Sequence, residues 1–559
     1  MDYSELVEIY EKLESTSGKL DKTEILANFF RRVSEDELAS VVLLATGSVY
    51  TKKDQKELGI AGNMMKKIIE KVCGVSDINK KYKETGDLGL TAAFFLRNKR
   101  QQTLGKKSLT VDKVMANLRK LPEITGAGTQ DRKSDMVSEL LSSAKPGEAL
   151  YLVRTILGEL RIGVAEGIVR DAIAKAFDAE PKEVEHAYNM LNSYGLVAEL
   201  AKKKKLGKAE MRIGEPIRVM LADRAPDLKT ALGEFEEPAL ETKYDGFRVQ
   251  IHKSGSDIKL FSRRMEDVTK QFPELADWSK KQLNAKQCIV EGEVLAIGKD
   301  GRSLPFQQLS RRIQRKYDIE RMVKEITIEM NLFELLSCEG TNYMGKPLKD
   351  RWHKLKSIVS ETKHFKLAKH LETKDLSRAE KFYEESLGMG QEGVIVKNLA
   401  AQYQPGKRVG YWLKVKPIME TLDLMITGGE WGTGKRAGAL GTLVISARSG
   451  SGFASVGMIG SGFKEKTDES KDKEKEMTLG ELTKMLKPHI SEGKGSAVTI
   501  KPKVVIEVAY EEIQRSPKYP SGFALRFPRL VRIRSDKGPD DADSVERVRS
   551  LFNQQRGRG

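Results

Sequence analysis

The spacing of hydrophobic residues divides the chain into three parts. From the N-terminus to about Met211, apolar residues recur at i, i+3 and i+4 in segments such as SELVEIYEKL and EGIVRDAIAKAF, a spacing typical of amphipathic helices. After Ile213, β-rich runs such as QCIVEGEVLAI alternate with helical stretches such as PELADWSKKQL. From about Glu420, short strands follow one another with one helix candidate, TLGELTKMLKPHI. The pattern predicts a multidomain protein: an all-α domain at 1–212, an α+β domain at 213–417 and a β-barrel at 418–559.

The segment ETKYDGFR, from Glu241 to Arg248, reads as a strand, a tight turn at Asp-Gly and a second strand. Side-chain alternation places Glu241 and Lys243 on the same face of the first strand. That face is either the solvated side of an ordinary hairpin or the wall of a site. The segment alone leaves both interpretations open.

The charge of the chain indicates its partner. The 559 residues include 97 Lys and Arg against 80 Asp and Glu, which gives a net charge of +17. The excess of basic residues is 5, 7 and 5 in the three predicted domains. We therefore expect a polyanionic partner, such as nucleic acid, that contacts every domain.

Cysteine usage and hydropathy indicate where the protein works. Cys73, Cys288 and Cys338 are widely spaced and form no CxxC pair, which disfavours a disulfide framework and a cysteine zinc site. The N-terminus lacks the pattern of a signal peptide, and no stretch approaches 18 uninterrupted apolar residues. The sequence predicts a protein of a reducing, cytoplasmic compartment with no membrane association.

An ordered series of motifs follows the segment around Lys243. It comprises SRR at 262–264, IVEGEV at 289–294, LFE at 332–334, EGVIVK at 392–397 and WLKVK at 412–416. In this order and spacing, the series resembles the nucleotidyltransferase motifs of covalent ligases and capping enzymes.

Both flanking regions extend the resemblance to nearly the whole chain. The segment 126–169, which contains LRIGVAE, is similar to the helical DNA-binding domain of archaeal and eukaryotic ATP-dependent DNA ligases. RFPRLVRIRSDK at 526–537 resembles the last motif of the same family, at the end of an OB-fold. The best match is the compact archaeal form. The resemblance implies a helical DNA-binding domain, an adenylation domain and an OB-fold domain in a monomer that seals nicks in duplex DNA during replication, repair and recombination.

The resemblance also implies the chemistry. Lys243 would attack the α-phosphate of ATP and hold AMP through a phosphoramide bond, before AMP passes to the 5′-phosphate of the nick. A lysine is nucleophilic only when its amine is neutral, which desolvation or neighbouring cations favour. Arg248, Lys414 and Lys416 are candidate cations, and the last two, two apart on a strand, face the same side.

The remaining site residues are carried over from the family motifs. Phe333 would stack on adenine, and Glu241 would help to read the base. The nucleotide-binding set is Glu241, Arg248, Arg263, Glu293, Phe333, Arg408, Lys414 and Lys416. Glu293 and Glu392 are the candidate Mg²⁺ ligands, because Mg²⁺ prefers a few carboxylates completed by water and phosphate oxygens. Glu291 is a rival of Glu293, and Glu266 could hold a further metal. The final motif, Arg534, Asp536 and Lys537, would orient pyrophosphate.

Other interpretations remain open. The same chemistry serves RNA ligases and capping enzymes, and a non-enzymatic OB-fold nucleic-acid-binding protein would need no ordered carboxylates and lysines. GEWGTGK, from Gly429 to Lys435, fits GxxxxGK, but Arg436 stands where a P-loop needs Ser or Thr. Gln101-Gln102-Thr103-Leu104 begins like a sliding-clamp-binding box but lacks its paired aromatics.

Overall fold

A computed structural model describes residues 1–51, 54, 56–98, 108–313, 319–417, 419–432, 438–463, 478–494 and 496–555. They form two compact units. The first comprises residues 1–382 and 394–415, and the second comprises 383–393 and 416–559. The division into three domains at 212 and 417 stays a prediction.

The N-terminal region is helical, as the periodicity predicts. Its described residues before Leu221 form twelve α-helices and no strand beyond an isolated bridge between Asp2 and Thr110. The helices are α1 (Tyr3–Ser15), α2 (Lys19–Arg32), α3 (Glu35–Ala45), α4 (Gly62–Cys73), α5 (Asn79–Thr85), α6 (Leu88–Arg97), α7 (Val111–Lys120), α8 (Thr129–Ser143), α9 (Pro146–Ile156), α10 (Glu166–Ala176), α11 (Pro181–Leu191) and α12 (Tyr194–Lys202).

Two sheets follow in the same unit. The strands of the middle region are β1 (Leu221–Arg224), β2 (Pro238–Lys243), β3 (Phe247–Ser254), β4 (Asp257–Ser262), β5 (Gln287–Ile297), β6 (Ser303–Leu304), β7 (Thr327–Cys338), β8 (Thr341–Asn342), β9 (Phe365–Leu367), β10 (His370–Glu372), β11 (Gly393–Asn398) and β12 (Arg408–Val415). The first sheet has the order β1-β12-β11-β2-β10. The second has the order β4-β3-β5-β7-β8, with β6 paired to β5 and β9 to β7.

Helices connect these strands. They are α13 (Leu228–Gly233), α14 (Pro273–Gln282), α15 (Phe306–Ile313), α16 (Ile319–Glu325), α17 (Leu348–Ile358) and α18 (Leu376–Gly388). The predicted alternation of β-rich runs and helical stretches in this α+β region is confirmed, including the helix at PELADWSKKQL, which is α14.

The predicted hairpin at Asp245-Gly246 is wrong. β2 pairs within the first sheet, with β10 and β11, whereas β3 pairs with β4 and β5 in the second sheet. Residues 244–246 therefore carry the chain from one sheet to the other. A Cβ on Gly246 would lie 2.4 Å from the carbonyl oxygen of Val294, so this crossing needs glycine to approach β5 closely.

The second unit is rich in strands. They are β13 (Leu422–Trp431), β14 (Leu440–Ser449), β15 (Gly452–Ile459), β16 (Ile490–Lys494), β17 (Ala497–Ile500), β18 (Val505–Ala509), β19 (Glu512–Arg515), β20 (Phe523–Arg526) and β21 (Arg529–Ile533), with helices α19 (Leu479–Leu486) and α20 (Val545–Gln554). Five strands run in the order β15-β14-β13-β17-β16, and β18 joins β13 to β21. The predicted helix at TLGELTKML is confirmed as α19, whereas α20 was not predicted.

Two of the remaining sequence motifs lie partly or wholly outside the described residues. Gly429 to Trp431 lie inside β13, paired with β14 and β17, and Gly432 follows them, while residues 433–435 of the GxxxxGK segment lie outside the described residues. The segment from Gln101 to Leu104 also lies outside them. The three cysteines are free. None of the described helices is long and apolar enough to cross a membrane.

Candidate active site between two sheets

Side chains from the facing sides of the two sheets meet in one cluster, which we call the inter-sheet site. From the first sheet it contains Glu241, Lys397 and Trp412, and from the second sheet Arg248, Glu291, Glu293 and Phe333. Lys243 and Lys414 lie two residues beyond Glu241 and Trp412 on the same strands. Contacts between the sheets define this site. Lys397 Nζ lies 4.9 Å from the ring centre of Phe333 and 4.3 Å from that of Trp412.

Glu241 is buried, with two basic partners. Lys397 Nζ lies 2.5 Å from Glu241 Oε2, and His370 Nδ1 lies 3.2 Å from Oε1. Burial opposes ionisation of Glu241, but Lys397 and His370 outweigh it and lower the pKa of the carboxyl group. His370 is itself fixed by stacking on Trp352 at 4.3 Å. Glu241 is therefore a buried carboxylate, and its strand face is not a solvated one.

Two aromatic rings meet edge to face within the site. The ring centres of Phe333 and Trp412 lie 6.3 Å apart at an interplanar angle of 85°. The Arg248 guanidinium carbon lies 5.2 Å from the Phe333 centre and 5.6 Å from the Trp412 centre. Arg248 and Lys397 each lie within cation–π distance of both rings, so the site combines aromatic surface with positive charge.

Arg248 and Glu291 form a buried ion pair. Arg248 donates through Nη2 to Glu291 Oε2 at 2.7 Å and through Nη1 to the Met220 carbonyl at 2.9 Å. Burial opposes the charge on Arg248, but Glu291 outweighs it and raises the arginine pKa. The Arg248 Nε atom is buried, with no hydrogen-bond partner among the described residues. This donor remains for a ligand.

The structure separates the two rival carboxylates of β5. Glu291 is fully buried, and its oxygens accept hydrogen bonds from Arg248, Gln250 and Tyr403. Three of the roughly four acceptor positions of this carboxylate are occupied by protein donors, which disfavours a metal there. Glu293, two residues further and opposite Arg248, is only partly buried. Its role as a metal ligand stays a prediction.

Arg263 and Arg408 lie near this cluster on exposed positions. Arg263 follows β4, and Arg408 begins β12. The surrounding protein and the positive charges of Arg248 and Arg408 lower the pKa of Arg263, while Glu293 opposes this effect. The structure therefore brings Arg248, Arg263, Arg408 and Glu293 within electrostatic reach of one another. Clustered cations of this kind suit a polyphosphate. Glu266 is exposed and accepts a hydrogen bond from Ser262 Oγ.

Two further lysines of the first sheet lie on β2 and β12. Lys243 is the last residue of β2, and Lys414 lies on β12 opposite Ile395 of β11. β11 separates the two strands. Both lysines are partly buried, which is compatible with access from solvent and with partial desolvation.

The other predicted residues lie in the second unit. Lys416 Nζ lies 2.7 Å from Glu392 Oε2 and 3.1 Å from Glu511 Oε2. Arg534 contacts Asp423 at 2.9 Å and Asp536 at 2.7 Å, and Lys537 contacts Asp423 at 2.6 Å. The hydrogen bond from Arg534 is the main cause that lowers the pKa of Asp536. The final motif is thus an ion-paired cluster anchored on Asp423, a residue that the sequence analysis missed.

The sequence analysis also missed Lys397, Trp412 and Tyr403. Lys397 and Tyr403 are 1% and 3% exposed. A lysine that ends the apolar run GVIVK is a signal that could have found the first of them, because lysine is almost never fully buried unless it is paired. Lys397 and Trp412 both stood within recognised motifs, whereas Tyr403 carried no sequence signal.

The carboxylates of this site could bind Mg²⁺ only if other ligands complete its coordination shell. No group of three or more His, Cys, Asp or Glu in the described part of the chain could hold a metal by itself. Mg²⁺ often uses one or two carboxylates, with water and substrate phosphates completing its shell. Glu293, beside the arginine cluster, is compatible with such a site.

Comparison with known proteins identifies the family of this chain. Three family models match: DNA ligase N terminus over residues 2–174, ATP dependent DNA ligase domain over 219–416 and ATP dependent DNA ligase C terminal region over 436–537. The DNA ligase of Thermococcus onnurineus is 45% identical, covering 99% of this chain and 98% of that protein. The DNA ligase of Archaeoglobus fulgidus is 42% identical, with 99% of each chain covered.

A solved structure supports the fold. The structure titled Pmar-Lig_PreS3 has a TM-score of 0.59 and 18% identity, and the match covers 95% of this chain and 99% of that chain. The multidomain arrangement of a helical N-terminal region, a nucleotidyltransferase domain and a strand-rich C-terminal domain is therefore shared. With three matching models, full-length relatives and the inter-sheet site, the chain belongs to the ATP-dependent DNA ligase family.

Proposed function

We propose that this protein seals nicks in duplex DNA with Lys243 as its nucleophile, in replication, repair and recombination. The observation that carries the proposal is the place of Lys243, at the end of a strand whose buried Glu241 contacts Lys397 beside the Phe333 and Trp412 rings. A lysine at the edge of an aromatic, cation-rich site is positioned to react with a nucleotide whose base lies against the rings.

The reaction has three transfers at phosphorus. The neutral amine of Lys243 attacks the α-phosphorus of ATP, the bond to the β-phosphate breaks, and pyrophosphate leaves. An oxygen of the 5′-phosphate at the nick then displaces the lysine and takes AMP. Finally the 3′-hydroxyl attacks the adenylated phosphate, releases AMP and closes the strand. Positioning and neutralisation of charge supply most of the catalysis in such steps.

The residues of the site divide these tasks. Phe333 holds the adenine and Glu241 reads it, while Arg248, Arg263, Arg408, Lys414 and Lys416 bind the rest of the nucleotide. Glu293 and Glu392 are the carboxylates that would hold Mg²⁺. When bound, Mg²⁺ neutralises charge on phosphate oxygens. Arg534, Asp536 and Lys537 orient pyrophosphate during adenylation.

The domains of this proposal are an all-α DNA-binding domain at 1–212, an adenylation domain at 213–417 and an OB-fold at 418–559. The spread of excess positive charge over all three supports a surface in each that contacts nicked duplex DNA. We propose a cytoplasmic monomer, with a sliding-clamp contact near Gln101 as a further prediction. Family membership disfavours the non-enzymatic interpretation. RNA ligation and capping remain activities that an assay must compare.

The proposal is tested by incubating the protein with labelled ATP and Mg²⁺ and mapping the covalent AMP adduct. We expect the adduct on Lys243, and none in Lys243→Ala or Lys243→Arg, because alanine has no amine and arginine stays protonated. The matched control is Lys229→Ala, which changes an exposed lysine of α13. Adduct formation by Lys243→Ala would overturn the assignment. Nick sealing on DNA compared with RNA then decides the substrate.

A further inference from the structure

Residues 214–220, which we call the strap, join the helical region to β1 and are held by side chains of the second sheet. The Ile217 amide donates to Gln250 Oε1 at 2.8 Å, and Gln250 Nε2 donates to the Ile217 carbonyl at 3.3 Å. The Gly214 amide donates to His252 Nδ1 at 3.1 Å. The amide of Gln250 thus pairs with the strap as a neighbouring strand would.

The end of the strap reaches the ion pair of the inter-sheet site. The Met220 carbonyl accepts from Arg248, and the Met220 amide donates to the Tyr403 hydroxyl at 2.9 Å. Tyr403 in turn donates to Glu291 Oε2 at 3.0 Å, and Gln250 Nε2 donates to Glu291 Oε1 at 3.0 Å. One carboxylate therefore joins Arg248, Gln250 and Tyr403.

The helical region holds the other side of the strap. Asn192 Nδ2 donates to the Pro216 carbonyl at 2.6 Å. Arg218 contacts Glu166 at 3.2 Å and lies 4.9 Å from the Tyr188 ring centre. Ile217 and Met220 belong to the same buried hydrophobic cluster as residues of the helices. The strap is therefore fixed between the helical region and the nucleotide site.

Arg248 depends on this arrangement for its direction. Two of its three nitrogens are bound to Glu291 and Met220, and these bonds set the plane of the guanidinium beside Phe333 and Trp412. The remaining buried donor, Nε, has no partner among the described residues. The Met220 carbonyl and the Glu291 carboxylate hold Nη1 and Nη2, and they thereby set the direction of Nε. Met220 belongs to the strap.

We propose that Glu291 and Gln250 are positioning residues for ATP binding. The helical region contributes to the same positioning, because it holds the strap to which Arg248 is bound. The inference rests on the proposed role of Arg248 as a nucleotide ligand. Neither Glu291 nor Gln250 touches the nucleotide. They act by holding Arg248 and the strap in the arrangement that binds the nucleotide. The helical region therefore contributes to the adenylation step before any DNA is bound.

The test measures the initial rate of self-adenylation against ATP concentration in the full chain, without DNA. We expect Glu291→Gln and Gln250→Met to raise the KM for ATP about 10-fold to 100-fold, the range for hydrogen bonds to a charged group. We expect kcat to change much less, because the Arg248 contact that these variants weaken holds the nucleotide in both the ground state and the transition state. Asn192→Gly removes the bond to Pro216 while keeping the left-handed backbone of that position (φ 52°), and should raise KM about fivefold.

The matched control is Glu274→Gln. Glu274 is the partner of the buried Arg312 in the same unit, at 2.5 Å between Nη1 and Oε1, and the pair shares no residue with the inter-sheet site. It should lower thermal stability without moving the KM for ATP. An unchanged KM in both Gln250→Met and Asn192→Gly, or an equal rise in Glu274→Gln, overturns the inference even if Glu291→Gln fails to fold. Absence of an adduct on Lys243 in the unchanged protein would instead refute the proposed function.

Discussion

Buried charges decide the character of the inter-sheet site at the scale of single residues. Glu241, Glu291 and Lys397 are each nearly inaccessible, and each lies in an ion pair or hydrogen-bonded network. Removing one partner of such a pair is costly because the other charge stays buried without compensation. Glu291 and Glu293 are the same residue type on the same strand, yet Glu291 is fully buried and hydrogen-bonded to three side chains, whereas Glu293 is only partly buried. Only their surroundings distinguish them.

His252 makes the stability of the fold depend on pH. Burial and the nearby charge of Lys259 lower the pKa of His252 to about 3. The unfolded chain takes up a proton near its ordinary pKa of about 6.5, so it binds more protons than the folded chain between these two values. We therefore expect the free energy of unfolding to fall as pH is lowered from about 6.5, with His252 contributing about 2 kcal/mol of the loss by about pH 5.

Denaturant titrations at several pH values check this contribution. His252→Gln should show a shallower fall in unfolding free energy over that range, whatever its stability near neutral pH. The control is His353→Gln, which changes an exposed histidine of α17 and should keep the pH dependence of the unchanged protein. Equal slopes for all three proteins would contradict the prediction.

At the scale of elements, the crossing from β2 to β3 places the site. Because these strands lie in different sheets, Lys243 at the end of β2 and Arg248 near the start of β3 belong to different sheets although they are five residues apart. The strand periods were predicted well, and β5 and β11 occupy the predicted runs. The pairing of the strands was not predicted correctly. An Asp-Gly turn is compatible both with a hairpin and with a change of sheet, and only contacts between residues distant in sequence distinguish these two arrangements.

Gly246→Ala tests how closely this crossing packs on β5. The added Cβ would lie 2.4 Å from the Val294 carbonyl oxygen and 2.8 Å from Glu293 Cγ, so the segment must move away. We expect a loss of about 1–3 kcal/mol in unfolding free energy, together with slower adduct formation because Lys243 and Glu293 are displaced. Gly233→Ala, at the end of α13 with no atom within 4 Å of the new Cβ, should leave both unchanged. Full stability and full rate in Gly246→Ala would disprove the constraint.

At the scale of the whole molecule, the buried hydrophobic clusters describe how the chain is divided better than the predicted domain boundaries do. One buried cluster contains residues of the helices together with Ile289, Leu336, Met344, Tyr403 and Trp412 of the middle region. The second unit has its own cluster, around β13, β14 and β18. The middle region also has a cluster of its own, around β3, β5 and β7. Periodicity divides the chain at 212, but part of the middle region's buried apolar surface is continuous with that of the helices.

Because the helices and the middle region share one buried cluster, we expect them to unfold together. Leu152→Ala in α9 and Leu336→Ala in β7 each remove a fully buried side chain from it, and each should cost about 2–5 kcal/mol. Calorimetry should show both substitutions lowering the same transition. Ile445→Ala, in the core of the second unit, is the matched control and should lower a different transition. Separate transitions for Leu152→Ala and Leu336→Ala would show that the helical region unfolds independently.

The sequence by itself determined the helical and strand periods, the basic charge and the ordered motifs, because these depend on local spacing and residue type. It also determined the family and the choice of Lys243 as candidate nucleophile, since the motif series is a linear property. The tertiary structure decided which strands pair, that Glu291 is engaged within the protein, that Lys397 and Tyr403 are buried beside the aromatic rings, and that the strap joins the helices to Arg248. Each of these depends on contacts between residues far apart in the chain, where burial and pairing set the energy of a charge and local pattern carries no information.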